Sequence, residues 1–427
     1  MKKIDIFLIN NFKTNSDIKL SDHGGEIKIN VYNLDNYYLI KSLDKILNLM
    51  KLCDNSTNKL KRINIVFDSS LNSRSINKIL TKLNDILYSY YPIAKEIKLY
   101  QVTESSSNLM TELTLYKNIV MDPNKTPESY LEYVKTHTPI TYTCDIVNVN
   151  LTNLFPLTKA VGAGSKSDGY FVHIYPNTIN SNGKNIYLIG KAVTFDAGGL
   201  NIKTQMMEDM KVDMTGSAII LSVLRLLKFN KIDTQFNIHL IIPIVENMIG
   251  PTGIKPGTVI QTMNNKKIEV VNTDAEGRLC LVDGLDYVQS KLLDKKKSNL
   301  IIDIATLTGN TLHITSGISS LLMANNKAHT AGYVDKLIAI GEDIGEYVDY
   351  LKIRKEYLDT LISQVADIKN INMSEKAGCI IAGTFLNYFV DENIEWMHID
   401  LGVCTFINQM ANAYGVNLLY EFIKQLK

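Results

Sequence analysis

Residues 268–288 read IEVVNTDAEGRLCLVDGLDYV, which combines a short apolar strand pattern, a polar loop and a helix pattern. In the loop, Asp274, Glu276 and Arg278 stand at every second position. If this stretch is extended, the three side chains lie on one face, because alternate residues of a strand share a face. Two carboxylates that close repel each other unless a positive charge lies between them. Arg278 and a metal ion are the two candidates for that charge.

The composition indicates a soluble globular protein with two domains. The chain has 427 residues, of which 45% are hydrophobic and 21% are charged. The net charge of +1 gives no electrostatic support for binding nucleic acid or an anionic membrane. No apolar run approaches the roughly 20 residues that a membrane span needs. We therefore expect no membrane association and no nucleic-acid partner.

The cysteines and the first residues predict a cytoplasmic location. The five cysteines are widely scattered and form no CxxC pair, which favours a reducing compartment over a disulfide or zinc-finger framework. The opening MKKIDIFLIN alternates apolar and polar residues, so it predicts a first strand and not a signal peptide.

Strand and helix patterns alternate along the chain, which predicts an α/β fold of two domains, a small N-terminal one and a larger second one. The apolar runs of the larger domain are nearly continuous, as in mostly parallel sheets buried on both faces. Predicted strands occupy 2–10, 63–70, 96–102, 185–195, 236–247, 299–309 and 396–402, with a hairpin over 256–272. Predicted helices occupy 37–53, 76–87, 105–120, 216–230, 281–293 and 380–390.

The boundary between the domains is predicted near the helix at 105–120. Asp122-Pro123 and Thr126-Pro127 interrupt the chain after it, and Thr126 can cap a following helix. We therefore divide the chain into an N-terminal α/β domain, 1–107, and a larger α/β domain, 108–427, which begins with this linker helix.

Charged residues collect where the predicted strands of the second domain end. Four carboxylates, two lysines and one arginine follow these strands or precede a helix: Lys191, Asp196, Lys203, Asp213, Asp274, Glu276 and Arg278. Carboxylate oxygens suit divalent metal ions, and two such ions can share bridging carboxylates in a hydrolase. The motifs HExxH and GxSxG are absent. The pattern therefore favours two-metal hydrolysis, although carboxylates alone would equally permit a phosphatase.

NTDAEGRL at 272–279 resembles the signature of the leucyl (cytosol) aminopeptidases, the dinuclear-metal M17 peptidase family. Further blocks resemble those of the family in the same order and extend the resemblance over roughly 115–403. These blocks are GKAVTFDAGGLNIK, MKVDMTGSA, PIVENM, IKPGTVI, DIATLTG, ADIKN and WMHIDLG. Near the C-terminus the family's usual Gly-Arg-Pro is replaced by Tyr414-Gly415-Val416.

The resemblance implies a site with two divalent metal ions per subunit, Mn or Zn, with Co or Mg as alternatives. Asp196 and Glu276 would bridge the ions, Lys191 and Asp213 would complete the tighter site, and Asp274 would complete the more exchangeable one. Lys203 would polarise the scissile carbonyl, and Arg278 would hold a bicarbonate ion.

The resemblance also implies a substrate site and an assembly. Met210, Thr306 and Gly309 would form an apolar pocket for the first side chain, while Asn272 and Ala275 would form the next subsite. The expected activity is removal of N-terminal, leucine-like residues from peptides by a homohexamer. The main alternative is a DNA-binding or structural family member, but such members lose ligands, and all seven metal-binding and catalytic positions are kept here.

Several residues of these segments also have a purely structural interpretation. Asp274 could cap the helix after it, Glu246 is more consistent with a structural role, and His398 with a core histidine. Met206 and Met207 could each serve either core packing or a pocket.

Overall fold

The computed structural model describes residues 18–22, 26–31, 62–67, 77, 80–81, 97–100, 104–232, 235–293, 299–372, 377–407 and 410–426. The chain divides into two compact units, Met1–Leu115 and Tyr116–Lys427. The helix Glu104–Met121 confirms the helix predicted at 105–120. The division between the two units falls inside this helix. The placement of the domain boundary at 107/108 stays a prediction.

The N-terminal unit contains a four-stranded sheet. Its strands are β1 (Ile18–Asp22), β2 (Glu26–Val31), β3 (Arg62–Phe67) and β4 (Ile97–Tyr100), in that spatial order. The pair β1–β2 is antiparallel, and the other two pairs are parallel. The predicted strands at 63–70 and 96–102 are confirmed. The elements predicted at 2–10 and 37–53 lie outside the described residues, as does most of the helix predicted at 76–87.

The second unit contains fourteen strands and ten helices among its described residues, besides the end of the first helix. The strands are β5 (Tyr142–Asn148), β6 (Tyr170–Pro176), β7 (Lys184–Gly190), β8 (Ala192–Asp196), β9 (Phe236–Asn247), β10 (Thr258–Gln261), β11 (Lys267–Val270), β12 (Asn299–Ala305), β13 (Ser320–Ala324), β14 (Val348–Tyr350), β15 (Ile368–Lys369), β16 (Glu395–Asp400), β17 (Phe406–Ile407) and β18 (Met410–Ala411). With Glu104–Met121 as α1, the helices are α2 (Pro127–His137), α3 (Pro156–Gly162), α4 (Thr215–Phe229), α5 (Gly277–Tyr287), α6 (Thr311–Thr315), α7 (Asn326–Thr330), α8 (Tyr333–Ile344), α9 (Lys355–Asp359), α10 (Gly378–Asn387) and α11 (Val416–Gln425).

The central sheet has the order β14-β13-β16-β12-β7-β9-β6-β5, and β8 pairs with β9. Its middle strands β16, β12, β7 and β9 are parallel to one another, whereas β13, β6 and β5 introduce antiparallel pairs towards the edges. The mostly parallel sheet is therefore confirmed at its centre. The outer strands β5, β6, β13 and β14 were not predicted from the sequence.

Helices cover both faces of this sheet, which explains the continuous apolar strands. An added Cβ at Gly190 would lie 2.5 Å from the Cα of Ser217 in α4. The side chain of the preceding residue, Ile189, instead lies against Gly284 of α5, where an added Cβ would be 2.7 Å away. Successive residues of a strand point to opposite faces, so α4 and α5 pack on different sides. None of the described helices is both long and apolar enough to cross a membrane.

One predicted strand, 185–195, is wrong in its continuity. It is divided into β7 and β8 at Lys191, whose backbone N–H donates to Ile304 O at 3.1 Å and whose carbonyl accepts from Ser217 N at 3.0 Å. The chain then shifts to pair β8 with β9 across an irregular register. Lys191 is thereby placed at the carboxyl end of the middle strands.

The segment 271–279 is not extended, so the shared-face interpretation is wrong. β11 ends at Val270, a turn follows, and α5 begins at Gly277, which puts Arg278 inside the helix. β11 also belongs to a separate three-stranded sheet, β10-β11-β15, and not to the central sheet. The hairpin of β10 and β11 is confirmed, with Asn265 in the left-handed conformation at φ 64°.

Candidate active site

Lys191 forms the buried half of a charged cluster. Its Nζ lies 2.7 Å from both carboxylate oxygens of Asp213 and 2.8 Å from Oε1 of Glu276. It also donates to the carbonyl of Thr306 at 3.2 Å, and the hydroxyl of Thr306 donates to Asp213 Oδ1 at 2.9 Å. The lysine side chain is 3% exposed, so this ammonium group is almost fully enclosed by oxygen atoms.

Lys203 forms the more open half of the same cluster. Its Nζ lies 2.9 Å from Asp196 Oδ2 and 2.5 Å from Asp274 Oδ1. The turn before it contains Gly198 and Gly199 at φ 88° and 61°, a conformation that glycine adopts at little cost. Lys203 N donates to Ala197 O at 3.0 Å and closes this turn. The glycine turn therefore brings the ammonium group back to the carboxylate that precedes it.

The carboxylates of the two halves converge. Asp196, Asp274 and Glu276 each offer one oxygen atom, and these atoms lie within 4.8 Å of one another. Together with Asp213, four carboxylates face only two ammonium groups, so negative charge is in excess in a largely buried site. A set of hard oxygen ligands with excess negative charge fits a divalent cation. The residues present therefore fit the metal site that the sequence predicts.

The pKa values of the aspartates reflect burial and this excess charge. Burial and the neighbouring Glu276 raise the pKa of Asp196 to about 7, against the opposing effect of Lys203 and Lys191. Burial also raises the pKa of Asp213 and of Asp274. Carboxyl groups with strongly perturbed pKa values cluster at functional sites.

The two lysines are held in their charged form. Burial alone would lower the pKa of Lys191, but Asp213, Glu276 and Asp196 outweigh it and raise the pKa. The carboxylates Asp196 and Glu276 likewise raise the pKa of Lys203 despite its burial. Lys191 could bind a metal ion only after losing its proton, which a cation among these carboxylates would favour.

The cluster is open to solvent on one side. The side chain of Asp274 is 31% exposed and that of Lys203 is 17% exposed, whereas those of Lys191, Asp196, Asp213 and Glu276 are 7% exposed or less. A small molecule would therefore meet Asp274 and Lys203 first.

Arg278 is not the charge that separates the carboxylates of the opening motif. The two lysines hold that position, and the guanidinium is directed elsewhere, with Nη1 donating to the carbonyl of Asn370 at 2.8 Å. Arg278 is buried, which lowers its pKa to about 10. Its Nε has no hydrogen-bond partner among the described residues. A buried donor without a partner fits a site for an anion.

The predicted substrate residues have different environments. Thr306 contacts Asp213 and Lys191, as described above. Met210 is half-buried in the 3-10 turn Met207–Val212, and its carbonyl accepts from Asp213 N at 3.2 Å. Gly309 is exposed, and an added Cβ would have nothing within 4 Å. Asn272 and Ala275 lie in the loop that carries Asp274, where the carbonyls of both accept from Asn370 Nδ2.

The structure confirms the interpretations of Glu246 and His398 but not the cap at Asp274 or the core packing of Met206. The side chain of Asp274 makes no cap hydrogen bond to α5. Met206 is 58% exposed, so core packing of that methionine is wrong, whereas Met207 is half-buried. Glu246 accepts from Ser165 Oγ at 2.6 Å, as a structural residue would. His398 is fully buried against Asp303 and lies in the core as predicted, although its Nε2 has no partner among the described residues.

Two buried asparagines that support the site were missed from the sequence. Asn247 donates from Nδ2 to Asp196 Oδ1 at 2.8 Å and to the carbonyl of Thr273 at 3.1 Å. Asn370 contacts the other side of the same loop. Asn247 lies in the family-like block PIVENM and Asn370 in ADIKN, and neither asparagine was given a role from the sequence. Their presence in these blocks was the available signal.

Gly277 is a position where the cluster leaves no room for a side chain. An added Cβ would lie 2.4 Å from Lys191 Cε and 2.7 Å from its Nζ. We expect Gly277→Ala to displace the pinned ammonium and to lower the free energy of unfolding by about 1–3 kcal/mol, as overpacking does. Gly309→Ala, with nothing within 4 Å of its Cβ, is the matched control and should unfold like the wild type in urea. Equal stability of Gly277→Ala and the wild type would contradict the tight fit.

The comparison with known families decides the classification. A family model described as the cytosol aminopeptidase family, catalytic domain, matches residues 114–420. The chain belongs to the cytosol aminopeptidase family. Membership confirms the resemblance drawn from the NTDAEGRL block and its neighbours.

Individual relatives agree with this classification. A probable cytosol aminopeptidase of Vesicomyosocius okutanii is 39% identical over 248 residues, which cover 57% of this chain and 49% of the relative. Leucine aminopeptidase 2, chloroplastic, of Arabidopsis thaliana is 32% identical over 396 residues, which cover 90% of this chain and 66% of the relative. The first of these matches spans about half of the relative's length. The crystal structure of the cytosol aminopeptidase from Coxiella burnetii superposes with a TM-score of 0.75 at 26% identity, over 85% of this chain and 80% of that one.

Proposed function

We propose that this protein is a metal-dependent aminopeptidase that releases N-terminal, leucine-like residues from peptides. The observation that carries the proposal is the convergence of Asp196, Asp274 and Glu276 within 4.8 Å beside Lys191 and Lys203, in a chain of the aminopeptidase family. A degenerate structural or DNA-binding member would have no reason to keep this buried excess of charge.

The ligand set of the proposed metal centre is Lys191, Asp196, Asp213, Asp274 and Glu276. Two divalent ions, Mn or Zn with Co or Mg as alternatives, would supply Lewis acidity and an activated water for hydrolysis. Asn247 and the N–H of Gly198 both donate to Asp196 Oδ1, at 2.8 and 2.9 Å, which leaves Oδ2 facing the cluster. These contacts fix the carboxylate that we expect to be shared by both ions.

Lys203 and Arg278 are the proposed catalytic residues outside the ligand set. Lys203 is fixed at the solvent-facing side of the cluster, where its ammonium group could polarise the carbonyl of the bond to be cleaved. The buried Nε of Arg278 has no partner within the part of the chain that the structure describes, which supports the proposed binding of bicarbonate as a proton acceptor.

Apolar side chains near Lys203 support a preference for apolar residues. Leu200, Ile202 and Met206 lie on the segment that carries Lys203 and are 45%, 51% and 58% exposed. We propose Met210, Thr306 and Gly309 as the pocket for the first side chain, and Asn272 and Ala275 as the next subsite.

The substrate's free amine separates the competing functions. With Mn²⁺ added, we expect hydrolysis of Leu-p-nitroanilide and none of N-acetyl-Leu-p-nitroanilide, because loss of the amine misplaces the carbonyl and about 1 Å of misplacement can cost 10²-fold. Equal kcat/KM for the two anilides would contradict an aminopeptidase. Hydrolysis of p-nitrophenyl phosphate alone would favour the phosphatase alternative, and inactivity on all three would favour a structural or DNA-binding role.

We further propose a cytoplasmic homohexamer with peptides as its partners. The hexamer is the assembly that the family resemblance implies, and relatives named cytosol aminopeptidases support the location. Light scattering should give a mass near six times the 48.0 kDa of the chain. A fully active monomer would contradict the hexamer.

A further inference from the structure

The side chain of Asn370 uses all of its hydrogen-bonding groups on one loop. It is fully buried directly after β15. Its Oδ1 accepts from the N–H groups of Val271 and Asn272 at 2.8 and 3.3 Å, and its Nδ2 donates to the carbonyls of Asn272 and Ala275 at 2.7 and 3.3 Å. One amide group therefore bonds to backbone groups of the loop that have no neighbouring strand to pair with.

The backbone of Asn370 connects the same loop to Arg278. Its carbonyl accepts from Arg278 Nη1 at 2.8 Å, and its N–H donates to Glu269 O at 3.0 Å. The residue thus contacts the end of β11, the loop after it and the guanidinium in α5.

The loop needs such support because it carries two carboxylates on irregular backbone. Asp274 and Glu276 lie between the end of β11 and the start of α5, where neither a strand nor a helix fixes them. Asn247 and Asn201 hold the loop at Thr273, through its carbonyl and its N–H. Without Asn370 the loop would lose its contacts at Val271, Asn272 and Ala275.

We propose that Asn370 is a positioning residue, which sets the carboxylates of Asp274 and Glu276 and the guanidinium of Arg278 in fixed relation to one another. The proposal rests on the proposed metal-dependent peptidase function. Residues that orient metal ligands typically contribute about 10–100-fold to metal affinity or activity.

Two substitutions separate the parts of this role. Asn370→Ala removes both the acceptor and the donors. Asn370→Asp keeps the acceptor for Val271 and Asn272 but directs a carboxylate oxygen at the carbonyls of Asn272 and Ala275. Asn237 is the matched control: it is also buried, and its amide accepts from Asn180 N at 2.8 Å and donates to Asn180 O and Asn185 Oδ1 at 3.1 and 3.0 Å. It lies at the other end of β9 from Asn247.

The experiment measures Mn²⁺ affinity by calorimetry, and kcat and KM on Leu-p-nitroanilide, for the full chain. We expect Asn370→Ala to weaken Mn²⁺ binding about 10–100-fold and to lower kcat by a similar factor. Its KM should be nearly unchanged. Asn370→Asp should lose at least as much Mn²⁺ affinity and kcat. Asn237→Ala should lose similar thermal stability and keep both Mn²⁺ affinity and kcat.

The outcomes distinguish this proposal from the proposed function. A wild type that binds Mn²⁺ but cleaves no anilide contradicts the peptidase, while weaker Mn²⁺ binding by Asn370→Ala still supports the positioning role. A folded Asn370→Ala with wild-type Mn²⁺ affinity and kcat overturns the positioning role alone. If Asn370→Ala and Asn370→Ser are both unfolded where Asn237→Ala is folded, Asn370 is structural and the proposal is wrong.

Discussion

Asp196→Asn should abolish peptidase activity while leaving the protein folded. The side chain of Asp196 is 3% exposed, and its Oδ2 lies 2.9 Å from Lys203 Nζ. Asp196 is also one of the three converging carboxylates. The amide has the same shape but lacks the second charged oxygen, so bound Mn²⁺ or Zn²⁺ should fall in elemental analysis. We expect a loss of roughly 10³-fold or more in kcat, because a catalytic metal ion contributes several kcal/mol.

The stability of the chelated protein tests whether this loss is local. The pKa of Asp196 is raised to about 7, above the roughly 3.9 of an unfolded aspartate. The unfolded chain therefore loses this proton at a lower pH than the folded chain does. As the pH rises from about 3.9 to about 7, the free energy of unfolding falls, because ionisation of Asp196 is less favourable in the folded state. Asp196→Asn removes that cost, so at pH 8 and without metal its Tm should equal or exceed that of the wild type.

Asp283→Asn is the matched control for this substitution. Asp283 is fully buried in α5, its Oδ2 accepts from Thr158 N at 2.7 Å, and burial raises its pKa to about 7. It makes no ion pair with the cluster, so its variant should keep both metal and activity. Full activity of Asp196→Asn, or equal loss in the two variants, would contradict the assigned role of Asp196.

Lys203→Met should lower kcat by roughly 10²–10³-fold, as the loss of one preorganised charge does. Methionine keeps most of the length of the side chain and removes the ammonium group. The ammonium contacts Asp196 and Asp274 from the solvent-facing side and is not itself a proposed ligand. Metal content should therefore stay close to the wild-type value, which separates this variant from Asp196→Asn.

Lys211→Met provides the control for Lys203→Met. Lys211 precedes Asp213 by two residues, but its Nζ donates to Glu208 O at 3.0 Å and lies 3.9 Å from Asp209 Oδ1, outside the cluster. We expect wild-type kcat for this variant. If Lys203→Met loses its metal before it loses activity, then Lys203 holds the centre together and its catalytic assignment is wrong.

Local sequence determined the middle strands of the central sheet and several of the helices, but not the strands at its edges. The predicted strand at 236–247 coincides with β9, and the helices at 105–120 and 216–230 agree with α1 and α4 to within one residue at each end. Apolar periodicity reports which faces are buried, and a capping residue such as Thr126 reports where a helix begins. These signals are contained within a few residues of the element that they describe.

Sequence also determined which residue types collect around the site, because the end of a strand and the start of a helix can both be recognised locally. The set Lys191, Asp196, Lys203, Asp213, Asp274 and Glu276 was chosen from such positions and from the family resemblance. The structure places these six side chains in two sets of ion pairs, one around Lys191 and one around Lys203. The two sets meet where carboxylate oxygens of Asp196, Asp274 and Glu276 converge. Their roles in binding metal remain proposals.

Only the tertiary structure decided how these segments meet. The break at Lys191 depends on Ile304, more than 100 positions away, and the loop of Asp274 is held by Asn370, nearly 100 positions away. The guanidinium of Arg278 is directed towards the carbonyl of the same residue, Asn370, and no local sequence pattern indicates this partner. A residue's own sequence neighbours fix its backbone preference and burial, but the partner of a buried polar group is set by which distant segment packs beside it.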